Sequence, residues 1–196
     1  MKPFSLSDIA EQPKINPDNK SDILREKFLN IHEQKIKSIK DLHGSFPDEN
    51  EIFFLWTVNS FNAFTFIPYI IKYCQQIEHL IISTYSINTR IVDSFIKYVD
   101  RLNILKVDIL ISDSIKFRMP RVVDHLDSMI SCRPNIKIAY GWNHSKVTLM
   151  KAQNKYFIAE GSGNWSENAK NEQYIFLNNQ QVYNFRAKWI LNEFNR

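Results

Sequence analysis

Beyond residue 50 the chain alternates two kinds of pattern. Short unbroken apolar runs give way to stretches whose apolar residues recur every three to four positions. The unbroken runs read as buried strands, and the three-to-four spacing reads as amphipathic helices. Residues 52–58, 80–85 and 107–111 are strands on this reading. Residues 64–74, 89–102 and 120–132 are the helices that follow them. Pro68 and Pro120 stand near helix starts, where the missing N–H costs nothing. Four strand-like runs then come almost back to back, at 136–140, 146–150, 156–159 and 174–177, before a closing helix over 182–194. Gln153-Asn154-Lys155 is a turn, so 146–150 and 156–159 form a hairpin. Strand–helix alternation followed by adjacent strands predicts an α/β fold with a mixed sheet flanked by helices.

The first 45 residues read differently. Pro3, Pro13 and Pro17 lie among polar residues and mark an extended arm over 1–20. Ser21 then caps an expected helix over 22–43, with Ile23, Leu24, Phe28, Ile31, Ile36, Ile39 and Leu42 on one stripe. Gly44 ends it in a left-handed conformation. The expected organisation is an N-terminal arm and amphipathic helix (1–45), which is a helical extension, and an α/β domain (46–196). The helix packs on its own domain or serves as a docking element for a protein partner.

Composition narrows the function classes. No apolar stretch approaches the roughly 20 residues that span a bilayer, and Met1-Lys2-Pro3-Phe4-Ser5 lacks the apolar core of a signal peptide. These features predict a cytoplasmic protein with no integral membrane association. Cys74 and Cys132 are expected as two buried, reduced thiols. The net charge of +4 is unevenly spread. Residues 1–100 carry 11 Lys/Arg against 13 Asp/Glu, and residues 101–196 carry 14 against 8. A basic C-terminal half favours an anionic partner.

That half also holds three of the four glycines and the run Trp142-Asn143-His144-Ser145-Lys146. Alternation on a strand puts His144, Lys146 and Thr148 on one face. The hairpin then brings Gly161-Ser162-Gly163-Asn164-Trp165-Ser166 beside them. This inventory is a candidate nucleophile, a fixed cation and several neutral donors, a set suited to a phosphoryl group. Gly161, Ser162, Gly163, Asn164 and Ser166 are the candidate phosphate-binding residues with Lys146, and a valine at Gly161 is expected to remove activity while sparing the fold. No carboxylate or histidine cluster has ligand spacing, so no metal and no cofactor is expected.

His144-Ser145-Lys146 followed by Gly161-Ser162-Gly163-Asn164 resembles the signature of the phospholipase D superfamily, His-x-Lys, then usually Asp, then Gly-Ser-x-Asn. The family Asp position is occupied by Lys151. The strand–helix pattern from about residue 50 is similar to that fold as well. The resemblance implies catalytic roles for His144, Lys146, Asn164 and Glu172, with Glu172 orienting the His144 ring. This chain has one such motif, as in the superfamily's single-motif nucleases, which implies a homodimer whose two-fold axis brings two copies of His144 together. The implied function is a metal-independent nuclease on DNA or RNA that works through a phosphohistidine. The alternatives are a phospholipase or phosphatidyltransferase on lipid phosphodiesters, and a degenerate nucleic-acid-binding dimer. Trp142 and Trp165 flank the motif and are read as core residues, with base stacking as the other reading.

Overall fold

A computed structural model describes residues 27–28, 30–58, 61–166 and 171–195. One mixed eight-stranded sheet organises them. Its strands are β1 (Asn30–Ile36), β2 (Glu51–Thr57), β3 (His79–Thr84), β4 (Val107–Ser112), β5 (Ile136–Gly141), β6 (Val147–Ala152), β7 (Lys155–Gly161) and β8 (Glu172–Asn178). They lie in the order β1-β2-β8-β7-β6-β3-β4-β5. The helices are α1 (Phe66–Cys74), α2 (Thr89–Asp100), the short α3 (Ile115–Arg118), α4 (Pro120–Ile130) and α5 (Gln180–Asn192). β3, β4 and β5 run parallel, and β6 runs antiparallel to β3. The N-terminal end of β6 therefore adjoins the C-terminal ends of the parallel strands.

Both faces of the sheet obey the two-residue period. Phe53, Leu55, Leu80, Ile82, Ile109, Phe157, Ala159, Tyr174 and Phe176 face one core with Phe66, Ile70, Val92, Phe95 and Leu126 from α1, α2 and α4. Ile52, Ile81, Leu110, Leu149, Ile158 and Leu177 face the other, under Tyr183, Ala187 and Ile190 of α5. Among the described residues α5 is the helix on this second face, and it packs chiefly on β7 and β3, away from the β1–β2 end. Phe54 and Trp56 stay partly open there, in a groove shared with Glu33, Glu160 and Gln173.

The N-terminal expectation is overturned where the structure describes it. Residues 30–36 form β1, parallel to β2, with Ile31 opposite Ile52 and Ile36 opposite Thr57. Residues 39–42 make only a single tight 3₁₀ turn. Tertiary pairing outweighs the helical stripe because β2 needs a partner along its outer edge, and its unpaired backbone groups are costly. Ser38 and Asp41 then start the short turn with a reciprocal capping box. Ile36 and Leu42 belong to the molecule's own core, so no amphipathic helix over 30–43 is left for a partner. The part of the expected helix over 22–26 and the arm over 1–20 lie outside the described residues. Gly44 is left-handed as expected, at φ +84°, but it follows this turn rather than a long helix.

From β2 onward the expected elements hold, with ends shifted by a residue or two. Cys74 is buried and Cys132 is exposed, and both are free thiols. Cys132 thus departs from the expected burial. Its place just past the end of α4 puts it beyond the last apolar position that α4 turns inward. Among the described residues no helix is long and apolar enough to cross a membrane.

Candidate active site

The β6–β7 hairpin turns at Gln153 and Asn154, both with positive φ (48° and 62°). Two successive left-handed residues suit the right-handed twist of paired strands. The register that follows sets Val147 opposite Glu160, and the Gly161 N–H donates to the Lys146 carbonyl at 3.2 Å. The hairpin thus brings Gly161, the first residue of the Gly161–Asn164 loop, against Lys146.

His144 and Lys146 lie immediately before β6 rather than on it, and their backbone is tied down by side chains. Asn143 Oδ1 accepts from the Ser145 N–H (3.0 Å) and hydroxyl (2.7 Å), while Asn143 Nδ2 donates to the Thr84 carbonyl (3.1 Å). The Ser145 and Ser83 hydroxyls share a further hydrogen bond at 2.5 Å. Short polar side chains commonly stabilise such turns. They anchor the His144 loop to the end of β3. Lys146 Nζ donates to the His144 carbonyl at 2.9 Å and stands 3.4 Å from His144 Nδ1. Partial burial pulls the Lys146 pKa below the ordinary lysine value, against the opposing pull of the Glu172 carboxylate and Tyr85.

Beneath the imidazole lies Tyr85, with ring centroids 4.6 Å apart. The Arg118 guanidinium covers the Tyr85 ring at 4.3 Å, and Lys146 Nζ is 5.8 Å from the same ring. Sequence reasoning did not single out Tyr85 or Arg118. The available signal was position. Tyr85 follows β3 and Arg118 lies just beyond β4, and ligands of open α/β sheets gather at the carboxyl ends of parallel strands.

The loop residues divide sharply. The Gly161 amide is spent on Lys146, and a Cβ at Gly161 would lie 2.1 Å from the Gln173 carbonyl oxygen. Gly161 is therefore required for β7 to close on β8, so a valine there strikes the fold first. This corrects the expectation that the fold would survive. The Ser162 N–H donates to the Gln173 carbonyl (3.0 Å). Its hydroxyl donates in a very short hydrogen bond to Glu172 Oε2 and accepts from the Gln173 N–H (3.1 Å). Glu172 is thus held by Ser162 rather than by His144 in this arrangement. The Ser166 hydroxyl shares a hydrogen bond with that of Ser86 (3.2 Å). Gly163 is buried, and Asn164 Oδ1 is buried with no hydrogen-bond partner. An orphaned buried amide oxygen is uncommon and marks a place that expects a partner.

The two flanking tryptophans part ways. Trp165 is 1% exposed, packs on Phe64 and donates from Nε1 to Thr148 at 3.0 Å, which fixes the loop's far end. Trp142 is 99% exposed, against the core reading. Lys151 lies five residues along the chain from Lys146, roughly 17 Å at strand rise, and pairs with Glu78 at 2.7 Å. The family Asp position is thus remote from His144 in this fold.

No family model and no curated protein sequence matches the chain. Solved structures do. Nuc, a phospholipase D family member from Salmonella typhimurium, aligns with a TM-score of 0.50 at 12% identity, covering 72% of this chain and 95% of that one. Phosphatidylserine synthase from Haemophilus influenzae Rd KW20 aligns at 0.46 and 12% identity, over 74% of this chain and 38% of that one. TrmBL2, an archaeal chromatin protein, aligns at 0.44 and 13%, over 74% and 52%. Nuc alone of the three reaches a score that carries an argument, and its likeness concerns the fold. With its mixed sheet, its flanking helices and its His-x-Lys turn at the sheet edge, the chain has the phospholipase D fold.

Proposed function

We propose that the protein is a metal-independent nuclease acting on DNA or RNA in a homodimeric site, with His144 as the nucleophile. The observation that carries this reading is the pairing of His144 with Lys146 at 3.4 Å, beside the Gly161–Asn164 loop whose Gly161 N–H meets the Lys146 carbonyl. A nucleophilic nitrogen, a fixed cation and neutral donors at one place suit attack on a phosphodiester.

Attack by His144 Nε2 forms a phosphorus–nitrogen bond and breaks the bond to the leaving oxygen, which takes a proton. Nucleophilic Nε2 requires the remaining ring proton on Nδ1. Lys146 Nζ, now beside Nδ1, must therefore shift to a non-bridging phosphate oxygen as substrate arrives. Glu172 becomes the acceptor for the Nδ1 proton when it leaves Ser162. The phosphohistidine is then hydrolysed by a water that gives its proton to the base.

In the mechanism that the phospholipase D resemblance implies, a second histidine acts as acid and base. Among the described residues the others are occupied elsewhere. His32 pairs with Glu51, His79 with Asp108 and His125 with Asp93, while His43 ends the turn before Gly44. His144 of a partner subunit supplies the group, which makes the dimer part of the mechanism.

The test is cleavage of plasmid and single-stranded DNA and RNA in excess chelator, with His144→Ala alongside. The expected result is cleavage by the wild type and none by the variant, with binding retained in both. Loss of activity in chelator, restored by magnesium, overturns the proposal.

A further inference from the structure

We propose that Trp142 and Phe117, with Arg118 and Lys116, form the track that holds a single-stranded stretch of nucleic acid next to His144. This rests on the nuclease reading and names the form of its substrate.

Among the described residues Trp142 (99%) and Phe117 (88%) are the two most exposed large hydrophobic side chains. They do not stand at unrelated places. Phe117 follows β4 and Trp142 follows β5, and these strands are neighbours in register, with Ser112 opposite Gly141 and the Asp113 N–H donating to the Gly141 carbonyl at 2.9 Å. Tyr85 follows the next parallel strand and lies against His144. Three adjacent strands each deliver one aromatic ring to the same sheet edge, and Trp142 is two residues, about 7 Å of chain at most, from the nucleophile.

Cations are interleaved with these rings. Arg118 lies over Tyr85 at 4.3 Å and Lys116 over Tyr140 at 4.3 Å, with Lys146 beyond. The acids here are the exposed Asp113, Asp127, which accepts from the Tyr140 hydroxyl at 3.0 Å, and Glu193, whose carboxylate lies beside Gly141, so the cations gather on the Tyr85–Arg118–Lys146 side of the track. A cationic surface with open rings fits a strand that carries a charge and a flat base in every unit. A paired duplex keeps its bases stacked inside and offers such rings nothing to stack on. A lipid headgroup supplies the phosphate but no base. Full exposure of an indole also costs free energy in the absence of an occupant.

The test is fluorescence anisotropy of a labelled oligothymidylate and of a blunt duplex of equal length. Both are titrated in chelator with the His144→Ala protein and with the same protein carrying Trp142→Ala or Trp142→Phe. Stacking worth about 1–3 kcal/mol per base predicts that Trp142→Ala weakens single-strand binding by roughly 5- to 150-fold. Duplex binding changes by less than about twofold on the same ground, and the phenylalanine variant recovers most of the single-strand affinity. Unchanged single-strand binding in Trp142→Ala, or equal loss on both probes, overturns the proposal. So does conversion of a dimer to a monomer by Trp142→Ala in light scattering, which would assign the ridge to a second copy of the chain. Wild-type cleavage of the same oligonucleotide reads the nuclease proposal separately. Trp142-dependent binding without cleavage would keep the track and remove the nuclease.

Discussion

Two lysines stand at the two ends of β6, Lys146 just before it and Lys151 near its close, and they meet opposite surroundings. Lys151, at the far end, is neutralised. Glu78 accepts from it at 2.7 Å and raises its pKa. Close by, His79 Nε2 donates to Asp108 Oδ2 at 2.6 Å, and Lys106 lies 3.5 Å from the same carboxylate. Lys151, Lys106, Glu78 and Asp108 each have an opposite charge within 4 Å there. Lys146, at the near end, touches a carbonyl and an imidazole, and burial lowers its pKa. Both ends hold a lysine, a histidine and a carboxylate. At one end the charges contact each other, and at the other the Glu172 carboxylate is bound to Ser162 and acts on the Lys146 ammonium without an ion pair between them. A site is recognised by unmet electrostatic demand more than by its residue types.

Truncating each lysine in turn separates the two ends. Lys146→Ala should lower kcat for oligonucleotide cleavage by roughly 10²–10³-fold, the usual loss for one donor to a transition-state oxyanion. Lys151→Ala should stay within about twofold of wild type, since exposed ion pairs contribute little. Equal losses would mean that the two ends are not different in kind.

A smaller effect concerns stability at the far end. Burial pushes the Asp108 pKa up, but the His79 hydrogen bond and the Lys106 charge outweigh it, so the carboxyl titrates below its ordinary value. A lowered folded-state pKa stabilises the protein above the unfolded value of about 3.9, and that contribution disappears as the pH falls through the folded value. Asp108→Asn should cost about 1–3 kcal/mol in urea unfolding at pH 7, because His79 loses its buried partner. The difference from wild type should shrink as the pH is taken below about 4. A difference independent of pH would remove the electrostatic account.

The smallest effect is a displacement of a pH limb. If the Lys146 ammonium holds phosphate, kcat/KM should fall on the alkaline side at a pH below the ordinary lysine value of about 10.4. Glu172 holds the Lys146 pKa up, so Glu172→Gln should move that limb to lower pH, on whatever activity remains. Lys151→Ala should leave it in place. A limb that shifts with Lys151 rather than with Glu172 would reverse the assignment of the two ends.

Legibility followed the range of the forces involved. The strand and helix runs from 51 onward were readable because each is encoded by its own periodicity, and Leu80, Ile82, Ile109 and Phe157 face the core that their alternation requires. The hairpin was readable because Gln153 and Asn154 favour a tight turn. Residues 30–36 were misread because a strand at a sheet edge takes its conformation from its neighbour. Ile31 and Ile36 fit a helical stripe as well as a strand, and only the open edge of β2 decides between them.

The candidate site shows the same division. That Lys146 and Gly161 meet across one hairpin was legible in the chain, because strand pairing across a short turn leaves little choice of register. The sequence also determined the unusual chemistry of that pairing. Tertiary structure alone decided what each group touches. It set Tyr85 under His144 and Arg118 over Tyr85 from two other strands, spent the Gly161 amide on the sheet, gave Ser162 to Glu172, and sent Trp165 inward while leaving Trp142 in solvent. Those outcomes depend on side chains far apart in the chain that meet only when β3, β4 and β5 stand beside β6. Local preference carries no information about such meetings, because the energy that selects them comes from packing and pairing of the assembled sheet.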